Sequence, residues 1–204
     1  MMKITAKLVN ELRQRTGIGM MDCKKALQES NGDITEAITI LRKKGYARAK
    51  DKMSREASEG IVGSYIHMNN RLGVLVEVNC ESDFVARTED FQQLVKDIAM
   101  HIAAANPKYL SSEDIPEDIL EQEKEIIREQ FKDSNKPPEI INKIVTGKLG
   151  YGCVSDRLLD QPFIRVFEVS IAKHIAFYIA KLGENIKVQR FARFALGEIG
   201  RAHV

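Results

Sequence analysis

Hydrophobic positions change period along this chain, and the changes mark its parts. Between Thr5 and Lys50 they recur at helical spacing in three short runs. Leu8 and Leu12 face inward from a first helix, capped by Thr5 and ending near Thr16-Gly17. Ile18-Gly19-Met20-Met21 reads as a tight apolar loop. Asp22 then opens a second helix that packs through Cys23, Ala26 and Leu27. Ser30-Asn31-Gly32 is a turn. Asp33 and Glu36 have capping-box spacing ahead of a third helix through Ile34, Ala37, Ile38 and Leu41. Three helices in so short a stretch make a small core that folds alone but weakly.

From Gly60 the period drops to two. Val62, Ser64, Ile66 and Met68 alternate with Ile61, Gly63, Tyr65 and His67, and Leu72, Val74, Val76 and Val78 repeat the alternation. Asn69-Asn70 lies between, and Asn tolerates positive φ, so a hairpin is predicted. The second strand runs into an abrupt polar corner, Cys80-Glu81-Ser82-Asp83-Phe84-Val85-Ala86-Arg87, followed by a helix that Thr88 caps. The corner has two readings. Either Phe84 packs inward with Asp83 as a turn former, or both side chains are presented outward. Phe91, Leu94, Val95, Ile98, Ala99 and Ile102 form the clearest helical stripe, which covers one face of the hairpin and stops at Asn106-Pro107.

Residues 111–148 are acidic at first and read as surface helices broken at Pro116 and Pro137-Pro138. The second of these is short and runs through Ile140, Ile141, Ile144 and Val145. Gly150-Tyr151-Gly152 reads as a loop, and Leu158 to Phe163 as a connector anchored by apolar residues. Ala172, Ile175, Ala176 and Ile179 predict a helix that ends at Gly183. Residues 185–194 form a third strand, paired with the hairpin. The expected class is α+β. A three-helix domain (1–50) is followed by a basic linker (51–59). A core of a three-stranded antiparallel sheet packed with helices (60–198) carries a helical insertion near 111–148.

Charge and composition narrow the function. A formal charge of +2 points to neither nucleic acid nor membrane. Its distribution is uneven: Arg42, Lys43, Lys44, Arg48, Lys50, Lys52 and Arg55 are opposed only by Asp51. One reading is contact with RNA; the other is a solvated helix C-terminus and linker. The lack of an interleaved aromatic row favours the second. Cys23, Cys80 and Cys153 are odd in number and far apart, which argues against a disulfide framework or zinc site and for a reducing compartment. No apolar run approaches the roughly 18 residues of a membrane span, and no signal-peptide core opens the chain. His67, His101, His174 and His203 have no Glu or Cys at metal-ligand spacing. Phosphate-binding glycine loops and nucleophile elbows are absent from the sequence. Cys80 beside Glu81 would need a poised base to act as a nucleophile, and a strand-end Cys more often packs as a small hydrophobe. The residues by themselves describe a two-part intracellular binding protein that is not an enzyme, with no cofactor or metal.

Four stretches carry a resemblance to a known family. They are Leu8 to Leu27, with its Thr16-Gly17-Ile18-Gly19-Met20-Met21 core; Val76 to Arg87; Leu159-Asp160-Gln161-Pro162-Phe163-Ile164; and Leu182-Gly183-Glu184-Asn185 through Phe191. In this order they resemble bacterial-type elongation factor Ts, the guanine-nucleotide exchange factor of elongation factor Tu. The short length is similar to forms without the family's long coiled-coil insertion, found in cyanobacteria, plastids and some other bacteria. The resemblance implies bacterial cytoplasm or plastid stroma, and homodimers occur among such short forms. It implies a UBA-like N-terminal domain that docks on elongation factor Tu, through Leu12, Met20 and Met21. It also implies that Ser82, Asp83, Phe84 and Val85, matching the family's Thr-Asp-Phe-Val, push toward the partner's magnesium site and loosen GDP. Ser82 in place of Thr keeps the hydroxyl. A UBA-like domain also suggests ubiquitin binding, which explains nothing after residue 60. After Leu196-Gly197-Glu198 the family pattern is lost. Ile199 to Val204 reads as the translation of an adapter oligonucleotide, so a non-native tail is expected there.

Overall fold

The computed structural model describes residues 4–131, 137–152 and 154–198, apart from the side chains of 138, 146 and 148–152. Cys153 and the tail from 199 lie outside the described residues. The chain forms two compact units, Met1–Met100 with Ala172–Val204, and His101–Ile171.

In the first unit, α1 (Ala6–Thr16), α2 (Met20–Glu29) and α3 (Ile34–Lys52) enclose a core of Val9, Leu12, Cys23, Ala26, Leu27, Ala37 and Leu41. Thr5 caps α1 by accepting from Leu8 N–H, and Asp33 caps α3 by accepting from Glu36 N–H at 2.8 Å. Two boundaries differ from the sequence reading. Met20 and Met21 are not loop residues but the first turn of α2. Gly19 is the N-cap, and its carbonyl accepts from Asp22 and Cys23 N–H at 3.1 Å. Met forms helix well, and Asp22 placed in the first turn complements the helix dipole. The basic run continues α3 to Lys52, because Lys, Arg and Ala favour helix and Ala49 is buried.

β1 (Glu59–Ile66) and β2 (Leu72–Cys80) form the predicted hairpin, with Asn70 at φ 54° in its turn. β5 (Ile186–Ala195) pairs antiparallel with β2, giving the order β1-β2-β5 and the expected α+β class. Between Glu77↔Arg190 and Val78↔Val188 the register shifts, so Gln189 is a bulge residue. Val74, Val76, Val78 and Cys80 are buried on one face of β2, while Leu75 on the other is half exposed. The buried face lies under α5 (Glu89–Ala105), whose Phe91, Leu94, Val95, Ile98, Ala99 and Ile102 stripe is wholly buried. Thr88 Oγ1 caps α5 by accepting from Phe91 N–H at 3.2 Å. α8 (Ile171–Leu182) ends as predicted at Gly183, where φ is +83° and the N–H donates to the Ile179 carbonyl.

The second unit contains a 3₁₀ turn at Ser112–Asp114, then α6 (Glu117–Gln130) and α7 (Pro138–Gly152), which pack together. Gly150 to Gly152, expected as a loop, is the end of α7. A helical glycine costs only about 1 kcal/mol relative to Ala, which slows a helix without stopping it. A two-strand ribbon, β3 (Pro162–Phe163) with β4 (Val166–Ser170), was not expected, since so short a pair leaves no alternation to read. The stretch before it is anchored by polar groups. His101 and Gln161 are both buried and hydrogen-bonded, Nε2 to Oε1, at 2.8 Å. Ile164 N–H donates to His101 Nδ1, so Nε2 carries the ring proton. The Gln161-Pro162-Phe163 motif therefore does structural work at this point.

Candidate functional site

The site grows from the end of β2. Ser82 leaves the strand in extended conformation, at φ −134° and ψ 153°. Asp83–Ala86 then close a single helical turn, α4, with Ser82 Oγ accepting from Val85 N–H at its start. Thr88 Oγ1 donates to the Val85 carbonyl at 2.7 Å while it caps α5, so α4 and α5 share a junction. Ala86 is buried on the inner side of the turn, and Val85 is half-buried. Phe84 points away and is 79% exposed. This decides between the two readings of the corner: Phe84 is no core residue. Asp83, beside it, forms an exposed i,i+4 ion pair with Arg87 at 2.8 Å.

Beneath the turn, Cys80 is fully buried and its thiol donates to the Ser82 carbonyl at 3.1 Å. Burial, reinforced by the Glu184 carboxylate, pushes the thiol pKa up. A protonated, enclosed thiol is a packing group and not a nucleophile. The loop between α8 and β5 closes the other side. Glu184 accepts from Ser82 N–H at 2.9 Å and from Ser82 Oγ–H at 2.6 Å. Glu81 accepts from Asn185 N–H at 2.6 Å. Asn185 is buried and donates to the Arg55 carbonyl at 2.7 Å, and Arg55 reaches Glu81 at 3.5 Å. Glu81, Glu184 and Asn185 were not singled out from the sequence. They lie inside the quoted motifs, but nothing in a linear string shows that residues 102 apart bond to each other.

The three-helix end holds the second group of expected contact residues. Met20 and Met21 are 49% and 64% exposed on the first turn of α2. Leu12 requires correction as a docking residue. It is fully buried in the helical core and has no surface to offer. Part of the basic run is engaged within the chain. Lys44 pairs with Glu29, Arg48 binds Asp22 through both nitrogens at 2.8 and 2.9 Å, and Lys52 reaches the Gly183 carbonyl. His174 is a packing residue, edge-on to Tyr178 with Asp97 3.6 Å away. Among the described residues no group of three or more His, Cys, Asp or Glu could hold a metal ion, and no helix is long and apolar enough to cross a membrane.

The end of the sheet thus presents Phe84 on a capped, pinned turn, and the first turn of α2 presents Met20 and Met21. The model of the family described as elongation factor Ts matches residues 2–198. The chain is 56% identical over 195 residues to elongation factor Ts of Thermosipho melanesiensis, covering 96% of this chain and all of that one. It is 57% identical over 197 residues to that of Thermodesulfovibrio yellowstonii, covering 97% and 98%. For Koribacter versatilis the identity is 55% over 199 residues, covering 98% and 91%. The chain belongs to the elongation factor Ts family. Its function is that of the family, nucleotide exchange in translation elongation, which is not catalysis of a chemical reaction.

Proposed function

We propose that the chain binds GDP-loaded elongation factor Tu and opens its nucleotide site with the turn Ser82 to Val85. The exposure of Phe84 on a capped, pinned turn is the observation that carries this reading. A GTPase holds GDP through backbone amides and a bridging Mg²⁺. A wedge that displaces those elements removes charge stabilisation from the diphosphate. Phe84, already out of the core, contributes about 1.5–3 kcal/mol if the opened partner buries it fully. Asp83 brings a carboxylate to the same place. The binding is reciprocal: GDP weakens the factor's grip by the same ratio as the factor weakens GDP.

Residues 1–50 dock the factor in this reading, with Met20 and Met21 as the contact side chains; their exposure supports it. Lys44, Arg48, Lys52 and Arg55 of the basic run are engaged within the chain, and no direct role for nucleic acid is proposed. The test is release of a fluorescent GDP analogue from purified elongation factor Tu. Wild-type protein accelerates release, and Phe84→Ala loses most of the acceleration. Equal acceleration by both moves the mechanism to the docking surfaces. Acceleration abolished by adding RNA, with steep salt dependence, would bring the RNA reading forward.

A further inference from the structure

A single helical turn does not hold itself. Forming one turn fixes several dihedrals for one hydrogen bond, so nucleation is unfavourable. α4 has four residues, and its geometry therefore depends on what ties it down. The inner side is tied by the burial of Ala86. The start is tied by one side chain from a remote loop. The β2–β5 ladder ends at Cys80↔Ile186. Beyond it the pairing continues through side chains: Glu81 accepts the Asn185 N–H, and Glu184 accepts two donors from Ser82.

We propose that Glu184 is a positioning residue for nucleotide exchange, holding the Ser82 cap and through it the turn that carries Phe84. This rests on the wedge reading above. The two oxygens of Glu184 take the N–H and the O–H of the same residue, which sets both the backbone and the rotamer of Ser82. The hydroxyl, having donated its proton, keeps lone pairs to accept Val85 N–H, so the carboxylate orients the cap itself. Among the described residues no ion pair joins Glu184 to a cation. Gly183 makes the geometry reachable, because its positive φ turns the chain back toward β2 directly after α8. Asn185, next to Glu184, donates to the Arg55 carbonyl at 2.7 Å, so the base of the wedge is also fastened to the segment that leaves α3.

The experiment uses the full chain with elongation factor Tu loaded with fluorescent GDP. Release is followed by stopped flow over a range of factor concentrations for wild type, Glu184→Ala, Glu184→Gln, Phe84→Ala and the Glu184→Ala/Phe84→Ala double variant. Loss of charge-assisted bonds to the cap is expected to lower the maximal rate by roughly tenfold in Glu184→Ala. The concentration for half-maximal rate should move less than about threefold, because the docking surface is untouched. Glu184→Gln, which keeps one acceptor, lies between. In the Phe84→Ala background, Glu184→Ala should add less than about twofold, since both act through one group.

Amide hydrogen exchange in the free protein supplies a readout independent of the partner. Residues 82–86 should exchange faster in Glu184→Ala while α1–α3 do not change. A wild-type maximal rate in Glu184→Ala, effects of the two substitutions that multiply, or unaltered exchange at 82–86 would each overturn the proposal. If Phe84→Ala itself reaches the full maximal rate, the wedge reading fails, and the positioning role fails with it. Should Glu184→Ala not fold, Ser82→Ala and Glu184→Gln pose the same question, and a full maximal rate in both sinks the idea.

Discussion

Val95 sits directly over Gly63: a methyl group added at Gly63 would overlap Val95 Cγ1. The central helix α5 approaches the hairpin this closely only because β1 has no side chain at that point. Gly63→Ala should therefore destabilise the first unit by about 1–3 kcal/mol, the usual cost of overpacking, since Val is stiff at χ1 and cannot swing away. Adding Val95→Ala should restore part of the loss. Urea unfolding of the two single variants and the double tests this, and strict additivity would show that the two residues do not meet.

Leu12 and the two methionines separate stability from contact. Leu12→Ala should cost about 2–5 kcal/mol, because it empties a fully buried position in a small core. Met20→Ala and Met21→Ala should each change stability by less than about 0.5 kcal/mol while weakening association with elongation factor Tu. Thermal unfolding and a binding titration on the same samples would distinguish the two patterns. A Leu12→Ala variant of wild-type stability would contradict the assignment of Leu12 to the core.

The Asp22–Arg48 pair makes the packing of α2 on α3 depend on pH. The Arg48 guanidinium, bonded through both nitrogens, holds the Asp22 pKa below the ordinary 3.8, against a smaller opposing effect of burial. The folded value is depressed, so the contribution is present in full above 3.8 and is lost as pH falls through the folded pKa. Both side chains are partly exposed, and solvent screening keeps the effect modest. The stability difference between wild type and Asp22→Asn should accordingly be constant near neutrality and shrink below pH 3.8. Denaturant titrations from pH 3 to 7 check it, and a difference that grows toward acid would show the opposite sign.

Cys23 and Cys80 should resist thiol reagents. Both are fully buried, and burial raises both pKa values, with the Glu184 carboxylate adding to the effect at Cys80. Alkylation at pH 8, mapped to peptides, should proceed at these two positions only as fast as the structure opens. Rapid modification of Cys80 in the folded protein would revive it as a reactive group.

Much of this was readable from local pattern. Period-two alternation with Asn69-Asn70 between the runs suffices for the hairpin, because strand side chains alternate faces and Asn accepts the positive φ that the turn uses. Helical spacing from Phe91 to Ile102 suffices for α5, since a face that apolar has to be covered. Less was readable where tertiary burial overrides local signals. Met20-Met21 reads as loop because Gly17 and Gly19 precede it, yet capping by Gly19 turns it into helix. The β3–β4 ribbon was invisible because two residues carry no period.

The candidate site divides along the same line. The sequence alone determined which residues stand at the strand end, and that an acid and an aromatic side chain are adjacent there. Whether Phe84 faces the core or solvent was open, since a turn admits both and composition does not choose. Only the tertiary structure decided it, by burying Ala86 on one side of α4 and clamping Ser82 to Glu184 on the other. That clamp joins residues 102 positions apart, and its distances exist only once β5 has paired with β2. Local propensity acts over a few residues and cannot encode a contact whose partners meet through the closure of a sheet.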